Sequence, residues 1–308
     1  MYKIALKPPQ DTVTQSVVTI GNFDGVHLGH QQLFLQMQRI AQQQHYRSIV
    51  ITFEPSPAEY FARQKHLDAP KRLCLLRDKF LILKQLGYID ELVILRFNHD
   101  LAQLSPQEFI HNILIRQLNA AHIVIGHDFR FGKNASGNAN DLKMAGIACS
   151  IAEPHTVEDV IVSSTCIRQL AAQQHLQQIK HYLGRNISYT ARIIHGNRVG
   201  REFGVATINL SLMHRQLALH GIYIAYVHID GNSYRAAVSI GTNPSVSKSN
   251  SCKLEAHLLD VDLNLYGKIA TVEILDFIRD EMKFDHLNDL FAQIHEDIKV
   301  VRNFFTKR

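Results

Sequence analysis

The chain has 308 residues, of which 46% are apolar and 20% are charged, and its formal net charge is +5. This length exceeds that of one typical compact domain, so we expect two domains, each with enough apolar residues for its own core. The basic excess is spread along the chain without a run of Lys and Arg. That distribution argues against a nucleic-acid-binding surface and favours small anionic substrates.

Cysteine usage and hydropathy exclude several further classes of protein. The four cysteines are far apart and form no CxxC pair, which argues against a zinc site and against a disulfide scaffold. The first residues lack the apolar core of a signal peptide, and no stretch reaches the length of a membrane span. We therefore expect a cytoplasmic protein with no membrane partner. The sequence leaves its oligomeric state open.

The first half of the chain alternates strands with helices. Ser105 and Glu108 enclose Pro106 in a capping box, which predicts the start of one of these helices. Such alternation favours an α/β fold with a parallel sheet, in which ligands bind at the carboxyl ends of the strands. The predicted strands span residues 16–20, 48–53, 91–95 and 121–125, and the predicted helices span 30–44 and 70–86 and begin again at 105.

The pattern changes near residue 184, where short strands follow one another without intervening helices. This succession predicts a small antiparallel β-barrel, and an apolar face from Leu287 to Val301 predicts a closing helix. A hairpin turn is expected at residues 230–233, which read DGNS. The predicted strands span 191–194, 222–229, 234–240, 254–258 and 269–277. We predict domains at 1–184 and 185–308.

Residues 21–30 read GNFDGVHLGH and lie between a predicted strand and a predicted helix. The N-terminus of a helix attracts phosphate, and Gly29 allows a close approach of the backbone. His27 and His30 are suited to donate hydrogen bonds to an α-phosphate and a departing pyrophosphate. A glycine-rich turn with two incidental histidines is the alternative. The strand–loop–helix setting of all ten residues favours adenylyl transfer over that alternative.

This loop resembles the HxGH signature of the nucleotidylyltransferase superfamily, and the longer string resembles that of the bacterial bifunctional riboflavin kinase/FAD synthetases. Three further segments resemble the same family: TFEPSP at 52–57, GHDFRFG at 126–132 and SSTCIR at 163–168. The resemblance implies a Rossmann-like nucleotidylyltransferase domain that adenylylates FMN with ATP to give FAD. It also implies that a small antiparallel β-barrel kinase domain with a C-terminal helix follows.

The resemblance assigns catalysis to His27 and His30. Asp24 positions the loop or assists a magnesium ion, whereas a loop cap is its structural alternative. A helix cap with a surface arginine is the alternative for the segment at 163–168, and core packing is the alternative for the aromatic residues. The implied nucleotide-binding residues are Gly21, Phe23, Asp24, Gly29, Ser164, Thr165 and Arg168, and the implied flavin-binding residues are Phe53, Asp128, Phe129 and Phe131.

A second glycine-rich segment, HGNRVGREFG at 195–204, suits a loop that wraps phosphates. It is followed by VATIN at 205–209, which resembles the FPTAN segment of the kinase family. By resemblance, Thr207 and Asn209 hold the Mg²⁺ of ATP, and Glu255 activates the 5′-hydroxyl of riboflavin. The resemblance also implies that Arg279 binds the flavin or its phosphate. The implied nucleotide-binding residues of this half are Gly196, Gly200, Arg201 and Gly204.

The sequence departs from the family at several positions. Val205 and Ala206 replace the Phe and Pro of the magnesium loop, and further substitutions are Ser56, Ala135 and Cys166. Three interpretations follow: a bifunctional enzyme that phosphorylates riboflavin and adenylylates FMN, an adenylyltransferase with a degenerate kinase barrel, and a non-catalytic flavin-binding or sensing protein. The retained histidines of the loop and the retained Glu255 favour the bifunctional enzyme.

Overall fold

A computed structural model describes residues 1–7, 15–196, 207–213, 215–242, 252–261 and 263–306. The chain divides into two compact units. Unit 1 comprises Met1–Pro70 and Lys79–Ser163, and unit 2 comprises Lys71–Asp78 and Ser164–Arg308. The predicted boundary between residues 184 and 185 stays a prediction.

Unit 1 is built on a twisted sheet with the strand order β1-β4-β3-β2-β5-β6. All neighbouring pairs from β4 to β6 are parallel, and β1 is added antiparallel at the edge. A short β7-β8 hairpin follows the sheet. The strands are β1 (Tyr2–Ala5), β2 (Ser16–Ile20), β3 (Arg47–Glu54), β4 (Glu91–Arg96), β5 (Ala120–Gly126), β6 (Ala148–Ala152), β7 (Thr156–Val157) and β8 (Val160–Ile161).

Helices connect the parallel strands, because parallel neighbours need long crossover connections. A π-helical turn at Ile110–Ile115 continues α5, and a short 3₁₀ turn spans Lys133–Ala135. Among the described residues, no helix is long and apolar enough to cross a membrane. The α-helices of this part of the chain are α1 (Leu28–Gln44), α2 (Pro57–Gln64), α3 (Leu76–Leu86), α4 (His99–Gln103), α5 (Pro106–Phe109), α6 (Ala139–Met144), α7 (Ser164–Ala172) and α8 (Leu176–Leu183).

Strand β2 lies at the centre of this sheet, and all five of its residues are buried. Its neighbours are β3 on one side and β5 on the other, so the chain order reverses at β2. A reversal of this kind opens a crevice at the carboxyl ends of the strands, where ligands bind in open α/β sheets. The loop that follows β2 is therefore placed at the position where this fold supports a ligand site.

The structure confirms the strand and helix alternation but corrects several elements. The helix predicted from residue 70 begins only at Leu76, because Arg72 forms a parallel bridge with Leu217 of the same unit. Helix α2 was not predicted, and its N-cap is Ser56, which forms a capping box with Glu59. Strands β1 and β6 were also not predicted, because short or mixed-burial strands give a weak apolar alternation.

The barrel of unit 2 is closed, with the strand order β10-β13-β12-β11-β14-β9. Strand β9 pairs with both β10 and β14, so hydrogen bonding continues around the circumference. The β11–β12 turn places Asp230 and Gly231 at φ values of 49° and 82°, as a two-residue hairpin requires. The remaining elements are β9 (Ser188–Ile194), β10 (Thr207–Leu210), β11 (Gly221–Ile229), β12 (Asn232–Thr242), β13 (Cys252–Leu258), β14 (Ile269–Arg279) and α9 (Leu287–Thr306).

Helix α9 packs against the outside of the barrel. Val301 and Phe305 are buried there in an apolar cluster with Ile224 and Leu259. The predicted apolar face is confirmed at Phe291 and Val301, but Leu287 at the start of the helix is 55% exposed.

A buried carboxylate lies where the segment 71–78 packs into unit 2. Asp78 is 2% exposed, and its Oδ2 accepts a hydrogen bond of 2.8 Å from the amide of Leu75. Burial raises the pKa of Asp78 from 3.8 to about 7, although hydrogen bonds from Thr190 and Leu75 and the charge of Arg185 act in the opposite direction. The folded protein therefore holds this proton to a higher pH than the unfolded chain does.

The substitution Asp78→Asn tests this raised pKa. Between pH 4 and 7 the unfolded chain binds fewer protons at this residue, so the wild-type protein loses stability as the pH rises. Asparagine removes that titration. We expect the melting temperature of the variant relative to wild type to increase by about 5 °C between pH 5 and pH 8. A difference that is the same at both pH values contradicts the raised pKa.

Candidate active sites

The loop at 21–30 begins in register with the sheet and ends in helix α1. The amide of Gly21 donates to the carbonyl of Ile51 at 3.1 Å, which extends the pairing of β2 with β3. His27 is the N-cap of α1, and its Nδ1 accepts a hydrogen bond of 3.4 Å from the amide of His30. The remaining first-turn amides and the helix dipole make this end of the helix attractive to phosphate.

The two histidines of the loop form one compact pair. The rings of His27 and His30 are stacked, with centroids 3.5 Å apart and an interplanar angle of 23°. A Cβ atom at Gly29 would lie 3.2 Å from the His27 ring and 3.3 Å from the carbonyl oxygen of Val162. A side chain at Gly29 would therefore crowd contacts within the protein, whereas the sequence had suggested only an approach to phosphate.

The buried ring of Phe23 packs against this histidine pair. Phe23 is 4% exposed and adopts a φ of 46°, a left-handed conformation that is unfavourable for a bulky residue. Its ring contacts His30 edge-on at a centroid distance of 5.1 Å and Phe34 at 5.0 Å. A Cβ atom at Gly21 would lie 2.9 Å from the same ring. Phe23 therefore shapes the loop from inside the protein, and its predicted contact with nucleotide stays a prediction.

A buried lysine that the sequence did not single out holds the start of this loop. Lys79 is 7% exposed, and its Nζ donates to the carbonyl oxygen of Asn22 and, at 2.8 Å, to Oγ1 of Thr52. The hydroxyl of Thr52 in turn donates to the Asn22 carbonyl at 3.3 Å. The bond from Lys79 to Asn22 joins residues 57 positions apart, so no local pattern in the sequence marks it.

Two groups of aromatic residues lie at the carboxyl edge of the sheet. Phe53 contacts Phe97 edge-on at 5.7 Å, and Tyr60 and Phe61 contact the same Phe97. Phe97, Tyr60 and Phe61 were not predicted as neighbours of this site, because they come from separate elements. These partly exposed rings offer an apolar surface at the edge of the sheet.

The second aromatic group follows β5. Phe129 stacks on Phe131 at 5.6 Å, and Phe131 is buried in the core of unit 1, while Phe129 packs against that core. Asp128 precedes them at the exposed end of the strand, so the structure brings it to the same sheet edge as the loop. The flavin contacts predicted for these residues stay predictions.

Helix α7 begins at Ser164 and includes Thr165, and the phosphate contacts implied for these residues and for Arg168 stay predictions. The helix belongs to unit 2, where Nε of Arg168 donates to the carbonyl of Lys71 at 2.8 Å.

The kinase residues share one face of the barrel wall. Asn209 on β10 is directly opposite Glu255 on β13, and Thr207 is opposite His257. Residues that are opposite or two apart on paired strands point to the same side of a sheet. The intervening Leu254 and Ala256 are buried, so the face that carries Glu255 is the outer face. Gly196 lies against it, because a Cβ atom there would overlap the side-chain amide of Asn209.

A cavity of about 310 Å³ lies between this outer face and helix α9. Thr207, Glu255 and Arg279, three residues predicted separately from the sequence, all line it. The opposite wall is apolar, and its residues are Met282, Phe284, Leu290, Phe291 and Ile294. The cavity thus joins polar groups suited to phosphoryl transfer with a surface suited to a flat apolar ring.

Glu255 is partly buried in this cavity. Burial raises the pKa of its carboxyl, Lys253 lowers it, and the negative charge of Glu281 raises it further. Glu281 lines the same cavity, and its Oε2 lies 2.9 Å from Nε2 of His220. A Cβ atom at Gly241 would overlap the Glu281 carboxylate. Glu281 was not predicted; only the folded chain places it near Glu255.

Arg279 lines the cavity and forms a buried ion pair. Its Nε and one terminal nitrogen bind both carboxylate oxygens of Asp297 on α9, at 2.9 and 2.7 Å. Asp297 is 4% exposed and also accepts from Gln293. The structure therefore shows Arg279 joining β14 to α9, and its predicted contact with flavin stays a prediction.

Several predicted positions lie outside the described residues. They are Gly200, Arg201, Gly204, Val205 and Ala206. Within the ranges that the structure does describe, no group of three or more His, Cys, Asp or Glu side chains is arranged to hold a metal ion.

Comparison with known proteins identifies the family. The family model for FAD synthetase matches residues 10–166, and the one for riboflavin kinase matches residues 183–305. The chain is 37% identical to the bifunctional riboflavin kinase/FMN adenylyltransferase of Buchnera aphidicola from Acyrthosiphon pisum, over 95% of this chain and 94% of that relative. It belongs to this bifunctional family.

Two further known proteins are similar to this chain over nearly its whole length. The bifunctional riboflavin kinase/FMN adenylyltransferase of Escherichia coli K12 is 35% identical over 94% of this chain and 92% of its own length. A crystal structure described as a macrolide-efflux protein from Streptococcus pneumoniae is 32% identical, with a TM-score of 0.73 and 97% of each chain covered. The recognition made from the sequence motifs is therefore confirmed.

A double-mutant cycle on Arg279 and Asp297 tests the buried ion pair. Arg279→Met leaves a carboxylate buried without its partner, and we expect this to lower the free energy of unfolding by about 3 kcal/mol. The double variant with Asp297→Asn removes both charges and should be less destabilised than the sum of the two single variants. Urea unfolding provides the measurement.

The exposed pair of Arg302 and Asp260 is the matched control, since its side chains are 51% and 69% exposed. Arg302→Met should change the stability little because solvent screens that pair. Additive effects of the two substitutions in the buried pair would show that Arg279 and Asp297 do not depend on each other.

Proposed function

We propose that this chain catalyses two successive ATP-dependent transfers. Unit 2 phosphorylates riboflavin to FMN, and the loop of unit 1 directs the adenylylation of FMN to FAD with release of pyrophosphate. The observation that carries this proposal is that the chain holds two separate sets of chemical groups. The stacked His27–His30 pair caps a helix at the sheet crevice, and Glu255 faces a cavity with an apolar wall.

In the adenylyl transfer, a phosphate oxygen of FMN attacks the α-phosphorus of ATP, and pyrophosphate leaves. The reaction needs no covalent intermediate, because negative charge develops on oxygens that preorganised donors can stabilise. His27 and His30 are the proposed donors, aided by the amides at the start of α1. Ser164, Thr165 and Arg168 are the proposed ligands of the β- and γ-phosphates, and Asp24 is proposed to steady the loop.

In the kinase reaction, Glu255 is the proposed general base. It accepts the proton of the riboflavin 5′-hydroxyl as that oxygen attacks the γ-phosphorus of ATP. The apolar wall formed by Phe284 and Phe291, among others, supports the isoalloxazine ring. This pairing of a carboxylate with an apolar wall is the reason to place riboflavin in the cavity of unit 2.

Magnesium is proposed to accompany ATP at this site. Mg²⁺ prefers oxygen ligands and is bound by few protein groups when phosphates supply the rest. The Thr207 hydroxyl and the Asn209 amide oxygen lie on the same face as Glu255 and fit that preference. When bound, the ion would neutralise charge on the transferred phosphate. We further propose a cytoplasmic location, where ATP is available.

The decisive experiment supplies purified protein with riboflavin, ATP and Mg²⁺ and follows the flavins by chromatography. We expect FMN to appear and FAD to follow. Formation of FAD from added FMN alone would instead support an adenylyltransferase with an inactive barrel. Flavin binding without any product would exclude both enzymatic interpretations.

The substitution Glu255→Gln separates the two activities. The amide keeps the shape of the side chain but cannot accept the hydroxyl proton, so we expect FMN formation to fall by about 100-fold or more. FAD formation from added FMN should stay at the wild-type rate. Glu273→Gln, on the barrel wall but outside the cavity lining, is the matched control. Loss of both activities in Glu255→Gln would refute the assignment of Glu255 to the kinase reaction.

The charge of Glu281 predicts a shift in the pH profile of the kinase. Glu255 must be ionised to act as a base, so activity falls as the pH drops through its pKa. Glu281 raises that pKa, so Glu281→Gln should move the acid limb of kcat/KM for riboflavin to lower pH. The profile is measured from mildly acidic to mildly alkaline pH. An unchanged acid limb would show that another group controls it.

A further inference from the structure

We propose that Lys79 is a positioning residue for adenylyl transfer, which acts by holding the carbonyl of Asn22 and thereby the His27–His30 pair. This inference rests on the proposed adenylyltransferase activity and adds a residue to it. The family signatures in the sequence do not include Lys79. The role of Lys79, in the first turn of α3, is inferred from the hydrogen bonds and the burial of its side chain.

Lys79 and Thr52 meet at one peptide group. Nζ of Lys79 and the hydroxyl of Thr52 both donate to the carbonyl oxygen of Asn22, and Nζ also donates to Oγ1 of Thr52 at 2.8 Å. Thr52 is 0% exposed and belongs to β3, and Lys79 is 7% exposed. Two buried donors therefore fix the orientation of the peptide plane between Asn22 and Phe23.

That peptide plane sets the conformation on which the histidines depend. Phe23 begins immediately after it and is held at a φ of 46°. A bulky residue enters this region only when surrounding contacts enforce it. The Phe23 ring then contacts His30 edge-on at 5.1 Å, and His30 stacks on His27 at 3.5 Å. The hydrogen bonds at Asn22 thus fix the Phe23 side chain, and the Phe23 ring in turn positions both proposed catalytic histidines.

The chemistry of a lysine suits this task. A carbonyl oxygen is an acceptor only, so it is oriented by donors, and an ammonium group supplies up to three of them. Charge-assisted hydrogen bonds are shorter and stronger than neutral ones. The rest of α3 is anchored separately, because Ile82 and Leu83 are buried in unit 1. Removal of the ammonium group alone therefore leaves the packing of the helix in place.

The test compares steady-state FAD formation from FMN and ATP in four variants. Lys79→Met keeps the length of the side chain but removes its donors, and Thr52→Val keeps the branched shape but removes the hydroxyl. We expect kcat for Lys79→Met to fall about 10- to 100-fold, because small errors in the position of catalytic groups are costly. KM for ATP and for FMN should change by less than about threefold. Thr52→Val should show the same pattern with a smaller loss.

The double variant and the control distinguish positioning from other effects. Because both donors act on the same carbonyl, Lys79→Met combined with Thr52→Val should be little slower than Lys79→Met alone. Lys84→Met, an exposed lysine on the same helix, should retain wild-type activity. Riboflavin phosphorylation by Lys79→Met should match wild type, which reports that unit 2 is folded, and the unchanged KM values for ATP and FMN report that unit 1 is folded.

Each remaining outcome overturns the inference. An unchanged kcat in Lys79→Met would remove any role in the reaction. A raised KM at constant kcat would mean that Lys79 binds substrate, and an equal loss of the kinase activity would mean that it only stabilises the fold. Additive losses in the double variant would show that Lys79 and Thr52 do not act through the same carbonyl. Wild-type FAD formation from FMN tests the proposed function by itself, so its failure is distinct from a failure of the variant pattern.

Discussion

The parallel pairing of β2 with both β3 and β5 is the constraint on which the first site depends. It buries β2 completely and reverses the strand order there, which leaves a crevice where the strand ends. The chain must then turn directly into α1, and it does so through a left-handed Phe23 and a histidine cap. The same pairing brings Thr52 of β3 beside the turn, where it meets Lys79. Strand order thus determines which groups can hold the catalytic loop.

The second site follows from a different constraint, the alternation of side chains along paired strands. Closure of the barrel requires every second residue to fill the interior, so Leu254 and Ala256 are buried. Glu255 is then directed outward, toward the side that helix α9 covers. The bidentate pair of Arg279 and Asp297 joins that helix to the barrel. Glu255 lies on the outer wall of the barrel and is nevertheless covered, because α9 is held across that wall.

The sequence predicted what is local and periodic. Strand β2, helix α1, the capping box at Ser105 and the hairpin at Asp230 all follow from spacing or from turn chemistry, and the structure contains them. The sequence did not reveal Lys79 or Glu281, because their contacts join residues far apart in the chain. Motif comparison marks Ser56 only as a departure from the family, although this serine is the cap of α2. Such a comparison names the departure at a position but not the structural role of the replacement.

The segment 71–78 has a consequence for how the chain is partitioned. It packs with unit 2, through the bridge of Arg72 to Leu217, while both of its flanks belong to unit 1. Neither unit is therefore one continuous stretch of polypeptide. A gene fragment that begins at residue 185 would omit this segment and helices α7 and α8, and a fragment that ends at 184 would carry them without their barrel. The two activities follow one another along the sequence, but each compact unit is assembled from two separate stretches of the chain.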